Sequence, residues 1–408
     1  MRAAAAAAAD AAPVYTLRLQ WLLGIACGLL IANVYYAQPL TGLITAALGL
    51  PRASAGLLVT LPLIGYGTGL LLVVPLADLV ENRRLVLLMV GLEALCMALI
   101  SITSNAALYL VVAFCVGTTA AAVQILVPYV TFLAPEAQRG QAVGRVVSGV
   151  MLGIMLARPV SSLMSDLASW RAIFGLSAAL MAMLAVALRG MLPARHPAPG
   201  LTYPRLLLSL GRIFVGTPIL RRRAIYHAYL FGAFSVFWTA VPLWLSGPQF
   251  GLTQRGIAWV ALAGVAGAIA PPLAGRMADR GLSRRGTGLA MLAVIVAFAV
   301  TALARGASPV GLGLIVFAAI LLDFAVSANL VFGQRAIYAL GAEQRGRING
   351  LFMATFFVGG AVGSALSGWC YTRYGWPGVT ALGMALPVIA LLYFATEQTA
   401  PRQLAASR

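Results

Sequence analysis

Uninterrupted apolar runs of about 18 or more residues recur along the whole chain of 408 residues. A helix needs about 20 predominantly apolar residues to cross a bilayer, whereas the strands of a membrane barrel alternate over about 10. With 61% hydrophobic and 9% charged residues, the chain leaves little polar surface to face water, so we expect an integral membrane protein. We predict twelve spanning helices, at about 19–44, 55–77, 85–104, 106–133, 146–165, 171–192, 224–246, 256–276, 287–304, 309–334, 348–370 and 378–396.

Positive charge is distributed unevenly between the predicted loops. The formal charge of +18 comes from 28 basic residues, all of them Arg, against 10 acidic residues. If the N-terminus is cytoplasmic, 22 Arg lie on the inner side, five lie on the outer side, and Arg158 lies within the fifth span. The positive-inside rule then predicts that both termini are cytoplasmic. This bias explains the basic composition, so we expect no nucleic-acid partner.

The chain also repeats itself. PEAQRGQAVG (135–144) recurs as GAEQRGRING (341–350) at an offset of 206 residues, and PLADLVENRR after the second span has a counterpart in RMADRGLSRR after the eighth. Two six-helix halves explain the repeat. We predict an N-terminal tail at 1–18, one half at 19–192, a cytoplasmic linker at 193–223, a second half at 224–396 and a C-terminal tail at 397–408. Within the linker, YPRLLLSLGRIF is typical of an amphipathic surface helix.

The loop motif and the span count together resemble a known family. Loops of the type G-x-L-A-D-R-x-G-R-K follow the second and eighth helices of the major facilitator superfamily of secondary transporters. The second copy matches well at Gly275, Ala278, Asp279 and Arg280, whereas the first departs from the motif at Val74, Leu79 and Glu81. The resemblance covers essentially the whole chain. It implies an all-α membrane fold of twelve helices in two six-helix pseudo-repeats.

Two further stretches resemble a narrower group within that superfamily. NVYYAQPL in the first span and GQRAIYAL with RGRINGLFM late in the chain resemble bacterial drug-efflux-like exporters, which implies a location in the bacterial inner membrane. Proton-coupled drug antiporters carry G-x-x-x-G-P-x-x-G-G in the fifth helix. Its small residues let helices pack tightly against the opposite half. Here Gly153, Ala157, Ser161 and Ser162 keep the small positions, while Arg158 replaces the Pro.

Polar and aromatic residues inside several spans indicate a substrate site. In transporters built from such repeats, substrates bind near the midplane where the halves meet, and polar groups at that depth line a cavity. Counted at about 1.5 Å per residue from the nearest Arg, Asn33, Gln124, Trp238 and Asp323 lie at similar depths of about 18–22 Å. We expect Tyr36 to face the cavity and its neighbour Tyr35 to pack against other helices. The predicted substrate-binding residues are Asn33, Tyr36, Gln38, Gln124, Phe237, Trp238 and Ser327.

Three charged residues lie inside predicted spans. A charge at mid-bilayer costs at least about 2.5 kcal/mol, so Glu93, Arg158 and Asp323 should be neutralised, paired or hydrated. Asp323 lies on a cavity helix, and we expect it to carry a coupling proton that Arg158 tunes. Glu93 is either a locally paired structural carboxylate or the next candidate for the proton.

The loop motifs supply a second set of candidate residues. A carboxylate in such a loop can cap a helix and pair with Arg, which stabilises one of the two transporter states. The predicted gating residues are Asp78, Arg83, Asp279 and Arg280.

Motifs for other chemistry do not occur in the sequence. It contains no Gly-x-Ser-x-Gly elbow and no nucleotide-binding P-loop, and its two His have no metal-ligand spacing. We therefore expect no enzymatic activity and no cofactor. The sequence favours a monomeric, proton-coupled exporter of small amphipathic or aromatic compounds. The alternatives are an uptake symporter for a small organic anion or sugar-like metabolite and, as a different class, a membrane scaffold or receptor.

Overall fold

The computed structural model describes residues 16–197, 202–304, 306–341 and 345–397, and no strand occurs in these ranges. Eleven of their helices are long and apolar enough to cross a membrane. They are α1 Leu17–Ala47, α2 Arg52–Asp78, α3 Asn82–Ile102, α4 Ala106–Leu133, α5 Arg139–Leu167, α6 Trp170–Met191, α7 Pro218–Leu245, α8 Gln254–Asp279, α9 Ser283–Thr301, α10 Pro309–Tyr338 and Arg345–Ala395.

The last of these helices supplies two spans. Its 51 residues would be about 76 Å long as one straight helix, more than twice the roughly 30 Å hydrocarbon core of a bilayer. The helix is broken at Gly375, whose φ of 64° and ψ of −157° are open only to glycine. We name the two parts α11 (345–374) and α12 (376–395). The prediction of twelve spanning helices in two halves, α1–α6 and α7–α12, is confirmed.

Side-chain caps begin several of the helices. Thr16, Asn105, Ser169 and Thr253 each precede a helix and accept a hydrogen bond from a backbone N–H of its first turn. Helix N-termini leave such donors unsatisfied, and a small polar side chain at the preceding position compensates for that. The caps explain why these four helices begin directly after these residues.

Helices α1 and α5 cross at four glycines. A Cβ atom built on Gly153 would lie 2.1 Å from the carbonyl oxygen of Gly28, and one on Gly149 would lie 2.2 Å from that of Gly24. Only glycines allow two backbones to approach so closely. The expectation that the small residues of the fifth helix contact the opposite half is therefore wrong for these glycines, because α1 belongs to the same half.

The C-terminal half contains an equivalent crossing. A Cβ atom on Gly363 of α11 would lie 2.2 Å from the carbonyl oxygen of Gly232 on α7, and one on Gly359 would lie equally close to that of Ala228. Both halves thus join their first and fifth helices through small residues. This is the structural counterpart of the sequence repeat.

The two ends of the bundle differ. The α2–α3, α4–α5, α8–α9 and α10–α11 loops lie at one end, which we call the Arg-rich end, and the opposite end is the Arg-poor end. At the Arg-poor end, Ser364 Oγ of α11 donates to the Gly56 carbonyl of α2 at 3.0 Å. There Asp166 of α5 also pairs with Arg255 of α8 at 3.3 Å. These contacts hold the two halves together at that end.

A linker helix, Tyr203–Gly216, lies between α6 and α7. Leu206 and Leu210 are buried, whereas Arg205 and Arg212 are exposed, so the helix has one apolar and one basic face. The Tyr203 hydroxyl donates to the backbone carbonyl of Leu72 in α2 at 2.7 Å. The linker helix is thus attached to the N-terminal half through α2.

Candidate functional site

An ion pair joins the two halves in the middle of the protein. Arg158 Nη1 of α5 lies 3.5 Å from Asp323 Oδ2 of α10, and the two side chains are only 2% and 6% exposed. Arg158 Nε donates to Gln38 Oε1 of α1 at 2.9 Å, and Trp238 Nε1 of α7 donates to Asp323 Oδ1 at 2.8 Å. We call these four residues the central cluster. It brings together four of the residues predicted from the sequence.

Aromatic rings surround the Arg158 guanidinium. Its Cζ atom lies 4.2 Å from the ring centroid of Trp238, 4.8 Å from that of Phe234 and 5.8 Å from that of Tyr35. Cation–π contacts stabilise a desolvated cation by about 2 kcal/mol. Burying two charges is costly unless hydrogen bonds and opposite charge compensate them. The rings and the pair together explain how Arg158 is tolerated at this depth.

Two glycines in α8 make room for Asp323. A Cβ atom on Gly264 would lie 2.6 Å from Asp323 Oδ2, and one on Gly267 would lie 2.9 Å from Asp323 Cβ. Both belong to a 3-10 segment, Gly264–Ile269, that interrupts α8. The sequence did not predict a role for Gly264, Gly267 or Phe234, or the position of Tyr35. The two glycines spaced by three residues in the eighth span were the available signal for close helix approach.

The position of Gln38 follows from the proline next to it. Pro39 has no N–H group and is found in a short 3-10 turn, Gln38–Leu40, which interrupts α1. Gln38 is 1% exposed, and its Nε2 has no hydrogen-bond acceptor in the part of the chain that the structure describes. A buried amide N–H₂ without an acceptor is costly, so this donor is available to a bound ligand.

A second buried carboxylate lies within the N-terminal half. Asn33 Nδ2 of α1 donates to Glu93 Oε1 of α3 at 2.7 Å, and Ser177 Oγ of α6 donates to Asn33 Oδ1 at 2.5 Å. Glu93 is fully buried, and its Oε2 has no partner among the described residues. We call these three residues the Glu93 cluster. Asn33, predicted for the substrate cavity, thus hydrogen-bonds within one half.

Two aromatic residues predicted for the cavity contact other helices. Tyr36 packs edge-to-face on Phe174 of α6 with 6.5 Å between ring centroids. Phe237 packs on Trp376 of α12 with 6.3 Å between centroids. The expected roles of Tyr35 and Tyr36 are exchanged, because it is Tyr35 that lies beside Arg158.

Gln124 and Ser327 complete the predicted substrate-binding set. Gln124 Nε2 of α4 donates to the Tyr66 hydroxyl of α2 at 3.3 Å, a contact within the N-terminal half. Tyr66 in turn packs on Phe357 of α11, with 4.3 Å between ring centroids. Ser327 is half-buried and lies one helical turn after Asp323 on α10.

Comparison with known proteins identifies the family. The profile of the Major Facilitator Superfamily matches residues 21–307 and again residues 230–408. The chain belongs to this superfamily. The uncharacterized transporter YgaY of Escherichia coli O157:H7 is 36% identical over 371 residues, which cover 91% of this chain and 93% of that protein. The probable transporter SCO4007 of Streptomyces coelicolor is 32% identical over 374 residues, with 90% and 85% coverage. The chain is therefore a multi-pass membrane transporter of this superfamily.

Solved structures share the fold at low sequence identity. The nucleoside transporter NupG is 16% identical with a TM-score of 0.73, and the match covers 93% of this chain and 98% of that one. A peptide transporter, POT, is 14% identical with a TM-score of 0.77, over 95% of this chain and 96% of its own. At these identities the likeness establishes the fold alone.

The loop motifs of the transporter differ between the two halves. After α8, Asp279 pairs with Arg335 of α10 at 2.9 Å, and both side chains are more than half exposed. Arg280, the neighbouring motif residue, is exposed. Asp279 is the last residue of its helix and so does not cap a helix N-terminus. The pairing with Arg is present, whereas the expected capping is not.

After α2, the capping carboxylate is a different residue from the one predicted. Glu81 precedes α3 and accepts hydrogen bonds from the backbone N–H groups of Arg83 at 3.0 Å and Arg84 at 3.3 Å. Asp78 is exposed, three residues before that cap. The Arg83 guanidinium donates to the backbone carbonyl of Arg189 at the end of α6. Glu81, where the family motif has Gly, thus takes the place expected for Asp78.

Proposed function

We propose that this transporter uses a proton gradient to export small amphipathic or aromatic organic compounds across the inner membrane of a bacterium. It acts as a monomer, with the N-terminus, the linker and the C-terminus in the cytoplasm. The observation that carries the proposal is the buried Arg158–Asp323 pair, whose members belong to opposite halves. Such a pair couples relative movement of the halves to the charge of one carboxylate.

Coupling follows from the cost of leaving either charge alone. When the halves separate around the centre, α5 carries Arg158 away from Asp323 of α10. A carboxylate that loses its cation in a poorly hydrated site is more stable when protonated. Asp323 therefore takes up a proton from the side that is then open, and it releases the proton when the pair forms again. One proton moves for each cycle of opening.

The surroundings of the pair favour a planar, partly apolar substrate. Trp238, Phe234 and Tyr35 offer ring faces around the guanidinium, and Gln38 Nε2 offers a free hydrogen-bond donor. Aromatic faces bind flat apolar groups, and one well-placed donor orients a polar end. An aromatic compound with one acceptor group matches this combination.

The contacts at the Arg-poor end support an inward-facing state. The pairs Gly56–Ser364 and Asp166–Arg255 hold the halves together at the Arg-poor end. The positive-inside rule assigns the Arg-rich end to the cytoplasm, so the closed end is periplasmic. In this state the protein would accept a substrate from the cytoplasm, as export requires.

Uptake of a small organic anion is the second candidate. Arg158 Nη1 and Asp323 Oδ2 are 3.5 Å apart, at the outer limit of a hydrogen bond. A substrate carboxylate could bind the planar guanidinium in two-point fashion and displace Asp323, which would then accept a proton. In that case proton and anion would move in the same direction.

Transport by purified protein in liposomes tests both candidates. We would impose a pH gradient and measure uptake and release of cationic, neutral and anionic aromatic compounds. Asp323→Asn should abolish gradient-driven accumulation but retain substrate exchange without a gradient. The matched control is Asp166→Asn, which removes another Arg–carboxylate pair between the halves and should retain both activities. If Asp323→Asn accumulates substrate at the wild-type rate, Asp323 is not the coupling residue and Glu93 becomes the carboxylate to test.

A further inference from the structure

A groove runs along the outer surface of the N-terminal half, between α1, α5 and α6. It has a volume of about 400 Å³, in the range of small-molecule sites. Its floor lies over the glycine crossing of α1 and α5, where there are no side chains to fill the space. Ile25 and Leu152 on its walls are each 54% exposed, so the groove opens toward lipid. No member of the central cluster lines it.

One end of the groove is polar and carries an unpaired cation. Arg145 of α5 donates to Gln20 Oε1 of α1, and both residues line the groove together with Ser148. Gln20 is buried, whereas Arg145 is exposed. Among the described residues, no carboxylate lies within ion-pair distance of Arg145. The guanidinium is thus fixed by a neutral amide and keeps its charge available to a ligand.

The polar end lies at the level of the lipid headgroups. Arg145 is six residues into α5, about 9 Å from its first residue at the Arg-rich end. Trp21, which also lines this end, is 64% exposed. Exposed Trp side chains concentrate at the boundary between headgroups and hydrocarbon. Both residues therefore mark the interface of one leaflet.

The rest of the groove runs along the membrane normal. From Arg145 to Val160, the most distant lining residue on α5, is about 22 Å along the helix, against a hydrocarbon core of roughly 30 Å. Between these ends the walls are almost entirely apolar, with Leu156 and Leu176 among the exposed residues. A linear apolar chain that begins at the headgroup level and extends beyond mid-bilayer matches this shape.

We propose that this groove binds one acyl chain of an anionic glycerophospholipid whose phosphate contacts Arg145. A phosphate supplies the opposite charge that Arg145 lacks, and the indole N–H of Trp21 can donate to the same headgroup. A zwitterionic lipid brings its own cation to the site and should bind less well. Because the chain fills the groove, a headgroup without acyl chains should not suffice.

Native mass spectrometry of the delipidated, full-length protein in detergent tests the proposal. Phosphatidylglycerol and phosphatidylcholine would be titrated separately, and glycerol 3-phosphate would serve as the headgroup alone. We expect one tightly bound phosphatidylglycerol and weaker binding of phosphatidylcholine. Arg145→Gln should weaken phosphatidylglycerol binding about fivefold, the effect of one Arg near an anionic surface. Arg139→Gln is the matched control, because Arg139 is an exposed Arg on the same helix that does not line the groove.

A second pair of variants tests the acyl-chain part of the site. Leu156→Trp places a large ring in the groove and should abolish the tight site, whereas Leu163→Trp, on the same helix outside the groove, should not. The two leucines are 40% and 43% exposed, so neither change disturbs a packed core. Equal thermal unfolding of the lipid-free variants would establish that folding is unaffected. Equal phosphatidylglycerol binding by wild type and Arg145→Gln, or by the two Trp variants, would overturn the proposal, as would tight binding of glycerol 3-phosphate.

Discussion

Replacing Asp323 by Asn should destabilise the protein because the Asp323 carboxylate accepts hydrogen bonds from two donors. Asp323 accepts from Trp238 Nε1 at 2.8 Å and from Arg158 Nη1 at 3.5 Å. Asn has one oxygen, and its N–H₂ group would face one of these donors. Leaving a buried cation without its partner costs about 3–5 kcal/mol. The rings around Arg158 offset about 2 kcal/mol of that cost. We therefore expect Asp323→Asn to lower the free energy of unfolding by about 1–3 kcal/mol.

A double-mutant cycle separates the pair from its surroundings. Arg158→Met alone leaves Asp323 with Trp238 as a donor, and the carboxyl group can become neutral by binding a proton. The double variant Arg158→Met/Asp323→Asn carries no buried charge at this site. Its loss of stability should be smaller than the sum of the two single losses, by about 1–3 kcal/mol.

The measurement is reversible unfolding in mixed detergent micelles, followed by circular dichroism. The control Asp166→Asn removes an ion pair whose Arg255 side chain is 61% exposed, so it should change stability by at most about 1 kcal/mol. Two results would refute the reasoning. One is a loss for Asp323→Asn no larger than that for the control, and the other is strict additivity in the cycle. Either result would mean that Arg158 and Asp323 are not energetically coupled.

Three further predictions concern packing, gating and topology. Gly153→Ala places a Cβ atom 2.1 Å from an α1 carbonyl and should cost about 1–3 kcal/mol, whereas Gly144→Ala, with open space around it, should be neutral or stabilising in thermal unfolding. Asp279→Asn removes the exposed ion pair with Arg335, so cysteines introduced on the cytoplasmic side should be labelled more strongly. Unchanged labelling together with normal transport would mean that the motif serves packing only. Reporter fusions after His196 and at the C-terminus should both be cytoplasmic, and a periplasmic signal from either would contradict the proposed orientation.

The number and depth of the helices could be predicted because the bilayer imposes them. A span requires about 20 apolar residues, and each residue advances about 1.5 Å along the helix axis. Counting from Arg residues therefore placed Trp238 and Asp323 at a common level, and the structure joins them by a hydrogen bond. The apolar runs at 348–370 and 378–396 also predicted two spans on either side of Gly375, where the structure has one helical segment with a break.

The direction in which each side chain points could not be predicted in the same way. In the first span, Asn33 hydrogen-bonds to Glu93, whereas Gln38, five residues after Asn33, hydrogen-bonds to Arg158. An α-helix turns 100° per residue, so adjacent residues point in quite different directions, and the 3-10 turn at Gln38–Leu40 changes that angle. The exchange of Tyr35 and Tyr36 has this origin.

Contacts between helices that are distant in sequence were the second obstacle. Gly264 and Gly267 determine how closely α8 approaches Asp323, and Phe234 covers Arg158 from α7. Each of these residues is ordinary in a membrane helix when the sequence is considered alone. Their importance depends on which helices are neighbours, and a single sequence does not contain that information.

The two buried carboxylates differ in what a movement of the halves would do to them. Glu93 is held by Asn33, which Ser177 holds in turn, and all three residues belong to the N-terminal half. If each half moves as a unit, as repeat-based transporters do, the surroundings of Glu93 stay the same throughout the cycle. Asp323 instead has one partner in each half, Arg158 on α5 and Trp238 on α7, so any relative movement changes its surroundings. A group can couple proton binding to conformation only if its environment differs between the two conformations. This criterion favours Asp323 as the residue that binds the coupling proton. By the same criterion, the role of Glu93 is to hold α1, α3 and α6 together.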